Sequence, residues 1–221
     1  MAASKGGKTN EGGDPVGHSL ALKNDGNVWA WGSNLNGQLG DGSFIDRTVP
    51  VLVRQLSGAT ALAAGSFHSL ALRNDGSVWA WGSNHAGQLG SSVGTLLSAA
   101  LPQQVASLAN VVAISAAANH SLALKSDGTV WAWGENTFGQ LGDGSSTSRS
   151  RPMQVKGLSG ISGLAAAVNH NLAIRGDGSL AAWGSNQFST LGDGTFGVRR
   201  EPVLVVNPSA TDFFNLNGDK A

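Results

Sequence analysis

The chain has 221 residues, of which 41% are hydrophobic and 13% charged, with 32 glycines and no cysteine. Fourteen basic residues balance fourteen acidic ones, which argues against the basic stripe of a nucleic-acid binder. The missing thiols exclude disulfides and cysteine nucleophiles, dense glycine with sparse charge disfavours helical bundles, and no apolar run approaches the ~18 residues of a membrane span.

Residues 1–16 are polar and glycine-rich and read as a disordered leader. Ala2-Ala3-Ser4-Lys5-Gly6-Gly7-Lys8-Thr9 approaches a phosphate-binding loop, but alanine stands for the first glycine and no strand precedes it, so no such role is assigned.

From His18 the pattern changes. His18-Ser19-Leu20-Ala21-Leu22 alternates as a strand does. Asn24-Asp25-Gly26 is a hairpin signal, because glycine accepts positive φ without strain. Val28-Trp29-Ala30-Trp31-Gly32 returns as the second strand. A turn-rich stretch follows around the single apolar anchor Leu39 and leads to a third strand at Pro50-Val51-Leu52-Val53. Ala59–Ala64 reads as a fourth strand, made of small residues.

This unit recurs at His68, His120 and His170, at spacings of 50, 52 and 50 residues. A fixed period of that size marks a repeat architecture, and four strands per ~50 residues match the blade of a β-propeller. The expected fold is therefore an all-β propeller of four repeats over residues 17–206. In the second copy Ser91-Ser92 replaces Asp-Gly, and the loop that follows is longer. In the fourth, Ala181 replaces the first tryptophan and Ser189-Thr190 replaces Gly-Gln. Residues 207–221 form a tail in which Ser209–Phe214 is a candidate for the strand missing ahead of His18.

The unit His-Ser-Leu-Ala-Leu-x-x-Asp-Gly-x-Val-Trp-Ala-Trp-Gly-x-Asn-x-x-Gly-Gln-Leu-Gly-Asp-Gly resembles the regulator of chromosome condensation repeat, in its bacterial Ala-Trp-Gly form. The resemblance implies a β-propeller and a family that mixes exchange factors, enzyme inhibitors and adaptor modules, among which fold alone does not choose. It leans towards a secreted or cell-surface bacterial origin, although the sequence itself names no compartment. Propellers of that family have seven blades, against four copies here. A fragment of a longer chain, two chains completing a homo-oligomeric ring, and closure by four blades are the three explanations.

No catalytic constellation emerges. Gly17-His18-Ser19-Leu20-Ala21 is similar to a nucleophile elbow, but Ser19 falls inside a strand rather than on a strand-to-helix turn. The four repeated histidines read as hydrogen-bonding links between blades, with a metal or proton-transfer site as the rival. Asp25, Asp75, Asp127 and Asp177 are turn residues, and no cofactor or metal set stands out. The tryptophans, locked to the repeat, read as core.

Positions free to differ between copies are surface, and surface loops on a rigid frame carry binding. They are Leu35-Asn36, His85-Ala86, Thr137-Phe138 and Gln187-Phe188, with Arg47, Arg149, Arg199 and Arg200 in the loops that follow, a composition typical of interfaces. The expected function is a protein-interaction module that binds a protein or peptide through these loops on one propeller face. A hydrolase using Ser19 with a nearby histidine, and a secreted inhibitor of a bacterial enzyme, are the alternatives.

Overall fold

The computed structural model describes residues 1–3, 17–91, 96–206 and 214–216. Among them the regular structure is entirely β-strand, arranged as four antiparallel sheets of four strands, each in chain order. The first sheet holds β1 (Ala2–Ala3), β2 (His18–Leu22), β3 (Val28–Gly32) and β4 (Arg47–Leu52). The second holds β5 (Ala59–Ala64), β6 (His68–Arg73), β7 (Val78–Ser83) and β8 (Ser98–Gln104). The third holds β9 (Val111–Ala116), β10 (His120–Lys125), β11 (Val130–Gly134) and β12 (Arg149–Gln154). The fourth holds β13 (Ile161–Ala166), β14 (His170–Arg175), β15 (Leu180–Gly184) and β16 (Arg199–Leu204).

The Asp-Gly turns form as the sequence requires. In the second repeat Leu72 pairs with Val78 across the turn, Gly76 adopts φ 75°, and the Asp75 carboxylate accepts from the Ser77 N–H at 3.0 Å. The place ahead of His18 is taken by Ala2 and Ala3, which pair with Leu20 and Ser19. These two residues of the expected leader therefore sit in a sheet. Ser209–Phe213 lies outside the described residues. Phe214 and Leu216 donate from their backbone N–H to Val205 and Gly178 at 3.0 Å each, so this part of the tail lies on the fourth repeat.

Successive sheets stack face to face. β2 packs on β5, β6 on β9 and β10 on β13, while β1, β5, β9 and β13 follow one another as an inner wall. No comparable packing between strands joins the fourth sheet to the first among the described residues. Each junction has its own apolar core, closed by Trp81, Trp133 or Trp183 from the later repeat.

The alternation in the sequence does not mark one buried and one exposed face throughout. β6 and β10 are buried on both faces, because a sheet covers each side. Only the end repeats alternate. In β2 the His18 and Leu20 face is buried and Ser19 and Ala21 are partly exposed, whereas in β14 Asn171 and Ala173 are buried and His170 and Leu172 partly exposed. The serine side of each repeat faces the preceding sheet and the histidine side faces the next.

Candidate interaction face

The repeated histidines act at these junctions. His18 Nε2 lies 2.7 Å from Ser69 Oγ, and His68 Nε2 lies 2.9 Å from Ser121 Oγ. Each serine hydroxyl donates to a main-chain carbonyl of the preceding repeat, Ser69 to Gln38 at 2.8 Å and Ser121 to Gln88 at 3.0 Å. The serine oxygen is thus left to accept from the imidazole N–H. In the third junction Asn171 fills both roles: its Oδ1 lies 2.7 Å from His120 Nε2, and its Nδ2 donates to the Gln140 carbonyl at 2.7 Å. The same three carbonyls accept from the indoles of Trp81, Trp133 and Trp183 at 2.8, 2.8 and 3.0 Å. Burial lowers the His18 pKa to about 4 and, aided by the neighbouring histidines, that of His68 to about 3, so both rings are neutral links.

These pairs lend the hydrolase reading no support. Ser69 and Ser121 are fully buried with their protons committed to carbonyls. Ser19 sits mid-strand opposite Trp31, and His18 beside it reaches instead to Ser69. Among the described residues no group of three His, Asp or Glu side chains is placed to hold a metal. No helix among them is long and apolar enough to cross a membrane.

Above the junctions the first, third and fourth repeats carry a loop frame braced by an Asp–Arg pair. The Asn34 amide is buried, donates to Asp41, Ser43 and Ile45, and accepts from the Leu39 N–H at 2.9 Å. Arg47 donates to Asp41 Oδ2 through Nε at 2.9 Å and Nη2 at 2.7 Å. Burial pushes the Asp41 carboxyl up, but the Ser43 hydroxyl and the Arg47 guanidinium outweigh this and hold it below the usual carboxylate range. Arg149 with Asp143 and Arg199 with Asp193 repeat the arrangement. Three of the four arginines singled out in the sequence therefore brace their own loops, while Arg200 is exposed at the junction of the third and fourth repeats.

The frame holds a depression of about 590 Å³ lined by residues of three successive repeats, among them Asn36, Ser83, His85, Glu135 and Thr137. A second depression of about 550 Å³ adjoins it at His85 and extends to Arg151. Of the sequence candidates, Asn36, His85 and Thr137 are thus brought together. Leu35 and Phe188 are exposed without lining either depression, Gln187 is exposed beside Phe188, and Phe138 is partly buried.

Sequence reading missed Glu135. Its Oε2 accepts from Asn119 Nδ2 at 2.9 Å and its Oε1 lies 3.4 Å from Thr137 Oγ1. The other three repeats carry serine here, at Ser33, Ser83 and Ser185. In the second repeat that serine meets the Gln88 side-chain amide at 3.3 Å. In the third, the equivalent Gln140 Nε2 is buried without a partner. The signal was a break at a position that is serine in the other three repeats, two residues ahead of the loop positions compared.

Four-stranded blades in series along a curved inner wall, with variable residues carried on a braced loop face, define a propeller of the interaction or regulatory class. The chain belongs to the RCC1-like domain family, whose model matches residues 14–218. It is 34% identical over 131 residues to the human probable E3 ubiquitin-protein ligase HERC6, covering 57% of this chain and 13% of the ligase. It is 32% identical over 131 residues to the ultraviolet-B receptor UVR8 of Arabidopsis thaliana, covering 58% of this chain and 30% of the receptor. Among solved structures, yeast RCC1 (Prp20) bound to Kap60 superposes with a TM-score of 0.78 at 26% identity, over 87% of this chain and 47% of that one. The chain thus spans about half of that propeller and less than a third of either curated relative.

Proposed function

We propose that this chain is a protein-interaction module that takes a peptide segment of its partner into the depression around His85 and Glu135. The observation that carries this is Glu135, which departs from the serine of the other repeats and leaves the buried Gln140 amide unpartnered. A residue that breaks the frame at a cost to packing marks a position held for something other than folding. Glu135 accepts two hydrogen bonds and retains acceptor capacity at the mouth, which suits a lysine or arginine side chain or another N–H donor. Apolar lining beside it, from Phe67 and Ala86, suits the stem of such a residue.

The RCC1-like fold supports a non-catalytic role, and the ligase name of one relative belongs to a protein of which this chain matches 13%. The inhibitor reading draws no support from these relatives. Binding of a partner identified with the wild-type chain is to be compared with that of Glu135→Ser and His85→Ala by isothermal titration. Loss of affinity at both with no fall in melting temperature supports the depression. Unchanged affinity at both moves the site elsewhere.

A further inference from the structure

The two adjoining depressions carry opposite charges. Glu135 lines the one of about 590 Å³ and Arg151 the one of about 550 Å³, and His85, Ala86 and Ser148 line both, so the two run together as one groove. Asn119 and Thr137 hold the Glu135 carboxylate from within the third repeat. No lysine, arginine or histidine pairs with it among the described residues.

Arg151 differs from the arginines that brace the loops. It is exposed and makes no ion pair among the described residues. Strand register places it level with Val49, Leu101 and Glu201 of the other repeats. Of these only Glu201 is charged, and it is paired with Lys156 at 3.3 Å. Ser148 adds a second observation. Its Oγ accepts from the Asn136 N–H at 3.2 Å, where in the first repeat the Asp46 carboxylate accepts from the Asn34 N–H at 2.6 Å. The third repeat thus lacks a carboxylate that the first supplies from its own loop, at a residue that lines both depressions. Leu96 and Leu97, 49% and 61% exposed, line the Arg151 depression as well.

We propose that the groove takes an extended segment of a protein partner in which a basic side chain meets Glu135 and an acidic side chain meets Arg151, with an apolar residue set against Leu96 or Leu97. This rests on the reading of the depression as a peptide site, and adds to it the second charge. Opposite charges at two separate points set the register of a segment, because any other placement brings like charges together or leaves one unmatched. A segment with two basic residues meets Arg151 with its own sign, and one with two acidic residues does the same at Glu135. The partner is recognised by chemistry that the groove itself carries: an acceptor for a cation, a free guanidinium for a carboxylate, and exposed leucines beside it.

The probe is an array of capped octapeptides, each with a lysine, an aspartate and a leucine at varied positions among serines. Copies in which serine replaces either charged residue, or both, complete it. The wild-type chain should bind its preferred peptides about five- to tenfold more strongly than either single-charge copy, with a margin that shrinks as salt is raised. Arg151→Glu alters an exposed, unpaired side chain, so its circular dichroism should match wild type; it should lose the aspartate requirement and keep the lysine one. Glu135→Lys should do the converse. A wild-type preference for lysine with aspartate neutral overturns this inference and leaves the depression a site for a basic residue. An aspartate preference that survives Arg151→Glu places the acid elsewhere and overturns it too. Binding indifferent to both charges, or none at all, removes the proposed peptide site along with it.

Discussion

His18 Nε2 and Ser69 Oγ stand 2.7 Å apart across the first junction, and this neutral contact makes the fold sensitive to acid. The unfolded imidazole titrates near 6.5, but burial lowers the folded value of His18 to about 4 and that of His68 to about 3. Between these limits the unfolded chain binds more protons, so stability falls as the pH drops below 6.5 and levels off only below the folded values. Each histidine should cost about 2 kcal/mol at pH 5 relative to neutrality. Asp41, Asp143 and Asp193 titrate below their ordinary values when folded, so their loss begins only below about pH 4. Urea midpoints at pH 7 and pH 5 separate the two groups. A flat midpoint over that interval would mean that the histidines are charged and paired otherwise.

Asn171 shows that the junction requires one acceptor and one donor rather than a particular residue. Asn171→Ser should be tolerated within about 1 kcal/mol, since serine performs the same relay at Ser69 and Ser121. Asn171→Ala strands the His120 N–H in a dry interface and should cost about 1–3 kcal/mol. Equal melting temperatures for the two variants would remove the relay from the account.

Legibility in the sequence followed the source of each signal. β6 and β7 were readable because alternation and Asp-Gly are local. Ala2–Ala3 was not, since two alanines carry no pattern and their pairing with Leu20 and Ser19 is set by the first sheet's vacant place. Arg47, Arg149 and Arg199 resemble interface residues in the sequence because they lie in variable loops. Their partners Asp41, Asp143 and Asp193 lie six residues earlier in each case, and only the fold of the loop brings the two together. Glu135 stands out when the repeats are aligned, but its meaning depends on the Gln140 amide that it leaves unpartnered.

The loop frame predicts an asymmetry within its ion pairs. Asp143 accepts from Asn136 Nδ2, from the Ser145 N–H and hydroxyl, and from Arg149. Asp143→Ala should therefore cost about 1–3 kcal/mol, because buried donors lose their acceptor. Arg149 is 38% exposed, and solvent screening limits Arg149→Ala to about 1 kcal/mol or less. Chemical denaturation of both variants tests the order, and an equal or reversed cost would make the arginine the organising residue.

The junction glycines combine two demands that can be separated. Gly157 has φ 65° and nothing within 4 Å of the place a methyl group would take, whereas Gly87 has φ 85° and the Ser150 Cα 2.7 Å from that place. Gly157→Ala should cost about 1–2 kcal/mol, the left-handed penalty alone. Gly87→Ala adds overpacking of a junction and should cost about 1–3 kcal/mol more. Similar losses in the two variants would show that the sheets separate freely, and that the close approach is not a constraint.

Glu135 places stability and recognition in opposition. Restoring the repeat's serine gives the Gln140 side chain the partner that Ser83 gives Gln88 at 3.3 Å, and relieves the buried Nε2 that now has none. Glu135→Ser should therefore stabilise the chain by about 0.5–1.5 kcal/mol. The same change removes the acceptor that faces the depression and should weaken partner binding, the pattern expected where function holds a residue against packing. The two effects are read independently, by thermal unfolding without partner and by titration with it. A stabilised variant that binds as wild type leaves Glu135 a defect of the frame, and a destabilised one shows that its bonds to Asn119 and Thr137 hold the third repeat together.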